Sequence, residues 1–371
     1  MTRTSRWVWS VVALTGVAAV PRFWELGRKD FWTDEAMDVL IATGKCFWDR
    51  VAYYLPNLAF GEGIVLLTSA GASTTVLRVF PAVMSVLCVP LAVAIARLYR
   101  LGERESLVAG LLLAISPLQI VYAQEIRQYS AVAAYGLLAH LLIVAWMENG
   151  RRVAAIGWLL LTLVGSFTQG FLVFSAVHLG WIFLRAVFGP PDRRVAFRQV
   201  VAPLTAGALL FAVSVAASVV HTIVFRNHLM KVESYPGVTP FGMLEYLLGF
   251  LFVTPCLGAC AVLLAAVGAW DWLRRRQALP LMLSIGFFVS TILAFRLFGS
   301  TKFSIRFWLP IQPFLVVLVV AGLGVLRRHR HGASLANLFV IAWVAFGALG
   351  IVRIHQRPGK DIAAYDVKRD V

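Results

Sequence analysis

Long apolar runs separated by short polar turns make up most of the chain. A membrane-spanning helix needs roughly 17 to 25 predominantly apolar residues. The segments that approach this template are 7–20, 77–98, 106–122, 130–147, 153–169, 171–188, 200–224, 246–269, 279–297, 307–326 and 334–352. The pattern predicts an all-α fold, a polytopic bundle of about eleven transmembrane helices. We assign 1–352 to this membrane domain, about 21–76 to its first outer loop, and 353–371 to a short C-terminal tail.

The polar turns fall into two groups that alternate along the chain. One group is short and rich in arginine, as in "RLYRLGERES", "MENGRR", "RAVFGPPDRRVAFRQ", "DWLRRRQ" and "RRHRHG", and with the N-terminus it holds half of the 34 basic residues. Short loops dense in Lys and Arg stay in the cytoplasm. The sequence therefore predicts a cytoplasmic N-terminus, with the first loop and the C-terminal tail outside the cytoplasm.

Composition supports a membrane protein. The chain is 60% apolar and 14% charged, whereas soluble domains run near one half and one quarter. A net charge of +16 would suggest a nucleic-acid partner in a soluble protein. Here the basic residues lie between apolar runs, which points to membrane lipids as their partner and gives no reason to expect nucleic acid.

The first loop contains an acidic stretch, "DFWTDEAMDV", in which Asp34 and Glu35 are adjacent. Apolar Ala36, Val39 and Leu40 follow with the spacing of a short helix, so both carboxylates fall in its first turn. Solvated acids are common at a helix start, which is the structural interpretation. The chemical interpretation is that a carboxylate partly shielded from water acts as a general base while its neighbour orients the acceptor.

A second polar segment, "SPLQIVYAQEIRQYS", lies at the outer end of the third apolar run. Pro117 interrupts helical hydrogen bonding there, and Glu125, Arg127 and Tyr129 occupy the turn into the next span. An interfacial arginine with a tyrosine beside it suits a phosphate headgroup. The alternative is a structural Glu125–Arg127 pair that closes the turn.

A third segment, "TKFSIRFWLPIQPF", begins a late span. Lys302 and Arg306 are four residues apart, so a helix aligns them on one side. Both are candidates for binding a phosphate at the outer membrane surface, and the alternative is that their long side chains only extend to the interface. For His140 and His178, which lie inside spans, buried hydrogen bonding is the simpler interpretation.

In this order, the three segments resemble the GT-C-fold integral membrane glycosyltransferases, in particular the dolichyl-phosphate-mannose–protein mannosyltransferases and the lipid A aminoarabinose transferases. "RFWELGRKDFWTDEA" is similar to the family's first loop, and Arg78-x-x-Pro81, "YAQEIRQY" and "FSIRFW" are similar to its later markers. Two family features are absent. A His-Pro-Pro stretch is replaced by "YYLPNLAFGEG", and a Thr-His is replaced by Thr168-Gln169.

The resemblance implies a glycosyltransferase that moves a hexose or pentose from a polyprenyl-phosphate donor to a protein, lipid or glycan, on the outer face of the plasma membrane or bacterial inner membrane. It implies Asp34 as the base and contacts from Arg127 and Arg306 to the donor. Together with the residue types, the predicted site comprises catalytic Asp34 and Glu35, donor phosphate ligands Arg127, Tyr129, Lys302 and Arg306, and structural or acceptor-side Glu125 and Arg78. No cofactor is required, although the first-loop carboxylates suit a divalent metal. The alternatives are a transporter or flippase of lipid-linked sugars and a non-catalytic membrane scaffold.

Overall fold

A computed structural model of the chain describes residues 3–31, 33–44, 57–168, 171–188, 197–228, 253–275 and 309–356. Within these ranges the chain forms helices joined by turns, with no strand. The helices are α1 (Arg3–Phe23), α2 (Thr33–Gly44), α3 (Leu58–Ser69), α4 (Thr74–Leu98), α5 (Glu103–Ala114), α6 (Pro117–Ala123), α7 (Tyr129–Asn149), α8 (Arg152–Ser166), α9 (Leu172–Phe188), α10 (Phe197–His228), α11 (Pro255–Arg274), α12 (Gln312–Leu326) and α13 (Gly332–Gln356). The predicted all-α fold is confirmed.

Helix length and hydropathy identify the membrane-spanning elements. Five helices are long and apolar enough to cross a membrane, and they lie within α4, α7, α10, α11 and α13. Helices α5 and α6 qualify together as one further span with a bend of 53°, whereas α8, α9 and α12 are apolar but shorter. The chain is therefore a multi-pass membrane protein. The total of about eleven spans stays a prediction, because 279–297 lies outside the described residues.

The bend between α5 and α6 arises at Ser116 and Pro117. Pro117 is the first residue of α6 and has no N–H to donate to the preceding turn. The Ser116 hydroxyl caps α6 by accepting a hydrogen bond from the Gln119 N–H at 3.5 Å. Arg22 is fully buried and donates to the last two carbonyls of α5, at 2.7 Å for the Ala114 oxygen. Arg22 therefore gives the Ala114 carbonyl a partner at the break and adds a hydrogen bond to the Leu113 carbonyl, which also accepts from the Ser116 N–H at 3.2 Å.

Three of the arginine-rich turns meet at one end of the bundle. At one end, Arg327 pairs with Glu105 at 2.9 Å and Arg328 pairs with Asp271 at 3.2 Å. The broken span formed by α5 and α6 starts near Glu105 and leads to the turn at 124–128, so this turn lies at the other end. We call the two ends the arginine-rich end and the first-loop end.

The histidines inside the bundle are hydrogen-bonded, as expected. His140 and His178 are fully buried. The Tyr99 hydroxyl is hydrogen-bonded to His140 Nε2, and the Trp158 indole N–H donates to His178 Nδ1 at 3.3 Å. These contacts confirm the buried hydrogen bonding predicted for both residues.

Candidate active site

A buried salt bridge anchors helix α2 to helix α4 at the first-loop end. Arg78 donates from Nη2 to Glu35 Oε2 at 2.8 Å and from Nε to Glu35 Oε1 at 3.3 Å. Each of the two side chains is 1% exposed. This bidentate salt bridge fixes the orientation of both groups, because the planar guanidinium matches the planar carboxylate. The first turn of α2 is consequently held at a defined place beside α4.

The same arginine sets the path of the chain that leads into α2. Arg78 Nη1 donates to the Lys29 oxygen at 2.7 Å and to the Leu26 oxygen at 3.2 Å, and Nη2 donates to the Asp30 oxygen at 3.2 Å. Its guanidinium also lies 5.6 Å from the centre of the Phe31 ring. The sequence predicts a structural or acceptor-side role for Arg78; the contacts seen here are structural, and an acceptor-side role stays a prediction.

Glu35 also links α2 to the turn at 124–128. Its Oε1 accepts a hydrogen bond from the backbone N–H of Ile126 at 2.5 Å. The carboxylate therefore receives hydrogen bonds from Arg78 on one side and from the turn on the other. Because both carboxylate oxygens are buried and accept hydrogen bonds, Glu35 connects α2 to α4 and to the turn at 124–128.

A second salt bridge joins α2 to the same turn. Arg127 Nη1 lies 2.8 Å from Asp38 Oδ2, with side-chain exposures of 13% and 3%. Asp38 follows Glu35 by three residues, and this spacing puts both on one face of a helix. Sequence reasoning considered Glu125 as the partner of Arg127 and gave Asp38 no role, although the three-residue spacing from Glu35 was a usable signal.

Asp34 stands on this anchored helix, in the first turn as predicted. It precedes Asp38 by one helical turn and is the chain neighbour of Glu35. The side chain of Asp34 lies outside the described structure, and so do Lys302 and Arg306 as whole residues. The roles predicted for these three residues therefore stay predictions.

Lys29 lies in the loop between α1 and α2 and contacts the same turn. Its Nζ donates to Gln124 Oε1 at 3.0 Å, while Gln124 Nε2 donates to the Trp24 oxygen at 3.0 Å and to the Pro21 oxygen at 3.2 Å. Burial lowers the pKa of the Lys29 ammonium, and the charge of the nearby Glu125 carboxylate opposes that shift. Sequence reasoning missed Lys29 and Gln124, because neither has a distinctive neighbour in the sequence.

The other residue predicted in this turn, Tyr129, is packed in the interior. It is 5% exposed, and its ring meets that of Tyr122 edge-on, with 5.7 Å between centres. The ring of Tyr129 therefore helps to fix where α7 begins. Its predicted contact with the donor phosphate stays a prediction.

A buried network of polar side chains links α6 to the start of α12. Gln312 Nε2 donates to the Ser116 hydroxyl at 2.9 Å, and Gln119 Nε2 donates to Gln312 Oε1 at 3.1 Å. Gln119 Nε2 also lies 3.4 Å from the Leu309 oxygen. These contacts fix Leu309 and the start of α12 beside α6, the helix that leads into the turn with Arg127.

The described residues do not form a metal site by themselves. No group of three or more His, Cys, Asp or Glu side chains among them is placed to hold a metal ion. The carboxylates of Glu35 and Asp38 are bonded to arginines instead. A divalent ion at the first loop therefore stays a prediction that depends on Asp34.

A comparison with protein-family models matches part of the chain. A family model described as dolichyl-phosphate-mannose-protein mannosyltransferase matches residues 39–191. This range is less than half of the chain, and it includes Arg78 and the turn with Arg127 but starts just after Asp34, Glu35 and Asp38. No curated protein sequence matches the chain significantly.

Solved structures resemble nearly the whole chain. The oligosaccharyltransferase of Archaeoglobus fulgidus, solved with Zn and sulfate, has a TM-score of 0.59 at 14% identity, covering 96% of this chain and 54% of its own. The same enzyme tethered to an acceptor peptide with the NVT sequon has a TM-score of 0.62 at 14% identity, with 98% and 57% covered. ArnT from Cupriavidus metallidurans in the apo state has a TM-score of 0.59 at 16% identity, with 94% and 75% covered.

These comparisons establish the fold. The chain spans little more than half the length of the oligosaccharyltransferase, and at such low identity the likeness concerns the arrangement of helices. The chain has the GT-C fold of membrane glycosyltransferases, and part of it matches a mannosyltransferase family model. The resemblance drawn from the three sequence segments is confirmed.

Proposed function

We propose that this chain is an integral membrane glycosyltransferase, which moves a sugar from a polyprenyl-phosphate donor to an acceptor outside the cytoplasm. The GT-C fold and the mannosyltransferase match over 39–191 support the proposal. The strongest support is the way in which α2 is anchored. Two buried salt bridges, Glu35–Arg78 and Asp38–Arg127, hold a short acidic helix rigidly at the end of a membrane bundle. General-base chemistry needs such fixed geometry, whereas a scaffold does not.

Asp34 is the general base in this proposal. The carboxylate of Glu35 is buried and bonded to Arg78 and to the Ile126 N–H, so it is poorly placed to accept a proton. Asp38 is bonded to Arg127 in the same way. Asp34 is the remaining carboxylate of the helix, and we assign proton acceptance to it. Glu35 and Asp38 are then positioning residues.

The reaction is a single displacement at the anomeric carbon of the sugar. The acceptor oxygen bonds to this carbon while its proton passes to the Asp34 carboxylate, and the bond from the carbon to the phosphate oxygen breaks. The electron pair stays on the phosphate, so the polyprenyl phosphate gains one negative charge as it leaves. Phosphate needs no general acid at neutral pH. The role of the base is similar to that in inverting glycosidases.

The charge that grows on the departing phosphate requires a cation beside it. The charge of Arg127 is largely balanced by Asp38. We therefore assign the main phosphate contact to Arg306, assisted by Lys302. We assign a secondary contact to Arg127, which lies in the turn beside α2. Tyr129, at the end of the same turn, borders this contact.

Chain connectivity supports this placement of Arg306. It precedes Leu309 by three residues, and three extended residues span about 11 Å at most. The Leu309 oxygen is fixed beside Gln119 of α6, close to the turn that carries Arg127. Leu309, the described residue nearest in sequence to Arg306, therefore lies beside α6, the helix that leads into the turn with Arg127.

In this proposal the first-loop end faces away from the cytoplasm and the arginine-rich end faces it, because short arginine-dense turns are retained inside. The membrane is the plasma membrane, which in a bacterium is the inner membrane. The sugar is a hexose or a pentose, and the acceptor is a protein, lipid or glycan. A divalent metal at Asp34 is compatible with the reaction but is not required by it.

The direct test uses purified protein and polyprenyl-phosphate sugars. Mannose and aminoarabinose donors represent a hexose and a pentose, and peptide, lipid and glycan acceptors are supplied separately. We expect cleavage of the sugar–phosphate bond, by transfer to an acceptor or by hydrolysis. Donor binding and movement across vesicles without any cleavage would favour a flippase. Absence of both binding and cleavage would favour a scaffold.

A further inference from the structure

At the arginine-rich end, helix α11 carries an arginine stacked on an exposed tryptophan. The guanidinium of Arg274 lies 5.1 Å from the centre of the Trp270 ring, and Trp270 is 58% exposed. The pair of Arg185 and Trp181 in α9 has a similar geometry at 5.9 Å, but Trp181 is buried. The pair on α11 is therefore exposed on the surface of the bundle.

Trp270 and Arg274 complete an exposed stripe along α11. Leu263, Val267 and Trp270 are 68%, 41% and 58% exposed, and spacings of four, three and four residues put them on one helix face with Arg274. The opposite face is packed on α12, where a Cβ at Gly268 would lie 2.5 Å from a backbone carbonyl oxygen. The stripe thus faces outward, with apolar side chains at membrane depth and a tryptophan and an arginine at its end.

The corner around this arginine has a surplus of positive charge. Asp271 pairs with Arg275 at 2.9 Å and with Arg328 at 3.2 Å. Together with Arg274, which stacks on Trp270, this group has three arginines and one carboxylate, so it carries two unbalanced positive charges. Arg275 and Arg328 are 47% and 52% exposed, and Arg330 is exposed in the next turn.

We propose that this corner binds the headgroup of an anionic phospholipid, with one acyl chain lying along the stripe of α11. Arginine matches phosphate oxygens in pairs, tryptophan favours the level of the headgroups, and clustered basic residues attract anionic lipid. Free phosphate shares the headgroup chemistry but lacks the acyl chain that the stripe would contact. This lipid site lies at the opposite end from the proposed sugar-transfer site and does not depend on it.

The test measures binding of defined lipids to the purified protein by native mass spectrometry. The lipids are phosphatidylglycerol and phosphatidylcholine, and inorganic phosphate is added as a competitor. We expect the parent protein to prefer phosphatidylglycerol. The variant with Arg274→Gln and Arg328→Gln should lose about 25-fold of that preference, at roughly five-fold for each arginine. The matched control is Arg151→Gln with Arg152→Gln, which removes two exposed arginines from the turn between α7 and α8.

The lipid preferences of the two variants distinguish a specific lipid site from non-specific attraction by positive charge. An unchanged preference in the control together with a loss in the Arg274 and Arg328 variant supports the proposal. Equal losses in both variants would mean that diffuse charge attracts the lipid, and displacement of lipid by millimolar phosphate would mean a phosphate site; either result overturns it. Arg274→Lys is a conservative variant that controls for misfolding. It keeps the positive charge but weakens the stacking on Trp270, so it should retain part of the preference for phosphatidylglycerol.

Discussion

Glu35 and Arg78 form a salt bridge of 2.8 Å in which each side chain is only 1% exposed. The two residues are 43 positions apart in the chain, so the contact joins the first loop to the membrane bundle. Both oxygens of the carboxylate receive hydrogen bonds. Buried charges of this kind depend strongly on one another, because either one alone would remain in the interior without compensation.

The first prediction concerns the stability of this contact. Arg78→Met should destabilise the protein by about 3–5 kcal/mol, because it leaves the Glu35 carboxylate buried and unpaired. The measurement is the unfolding transition in detergent. The control is Arg28→Gln, which breaks the exposed Arg28–Glu25 pair and should leave the unfolding transition nearly unchanged, because solvent screens exposed ion pairs. Similar effects of the two changes would contradict a structural role for the buried pair.

The second prediction concerns the pair of Asp38 and Arg127, which joins α2 to the turn before α7. In a double-mutant cycle with Asp38→Asn and Arg127→Gln, the two changes should be coupled by about 1–3 kcal/mol in stability. Each single variant should also reduce turnover, since α2 loses one of its two anchors. Additive effects within about 0.5 kcal/mol would show that the contact does not position the helix.

The sequence predicted the larger features of this molecule because they are repeated many times along it. Long apolar runs indicate spans, alternating arginine-dense turns indicate two ends, and the spacing of Ala36, Val39 and Leu40 indicates α2. The broken span was also foreseeable, because Pro117 cannot continue a helical hydrogen-bond ladder.

The partners of the charged residues could not be predicted in the same way. Each of Glu35, Asp38 and Lys29 meets a residue far along the chain, and many pairings satisfy the same charges. Arg22 is a further example, since an arginine at a helix end normally extends toward water. Here it turns inward to the end of α5, where the break at Ser116 leaves the Ala114 carbonyl to accept from Arg22.

The third prediction distinguishes binding of the donor from stabilisation of the transition state. Arg306→Lys should keep much of the donor affinity but lose turnover, because an ammonium cannot hold two phosphate oxygens as a guanidinium does. Arg306→Ala should lose both. Donor binding and initial rate are measured on the same folded samples. Arg353→Ala, an exposed arginine in the last turn of α13, serves as the control and should change neither. Normal binding and turnover in Arg306→Ala would place the donor site elsewhere.

The fourth prediction concerns the orientation in the membrane. Single cysteines replace Arg28 in the first loop or Arg330 between α12 and α13, both exposed, in a background without other cysteines. A membrane-impermeant thiol reagent should label position 28 in intact cells and position 330 only after lysis. The reverse pattern would put the proposed site in the cytoplasm.

The most direct test of the proposed chemistry is the turnover of Asp34→Asn. The amide keeps the shape of the carboxylate but cannot accept a proton at neutral pH, so turnover should fall by about 10²–10⁴ with folding preserved. Asp30→Asn makes the same chemical change at an exposed position before α2 and should leave turnover within a few-fold of the parent. Sugar transfer from a polyprenyl-phosphate donor is measured for the parent and both variants under the same conditions. Loss of transfer in Asp34→Asn alone is the predicted result, and near-parental transfer by Asp34→Asn would contradict the assignment of the base.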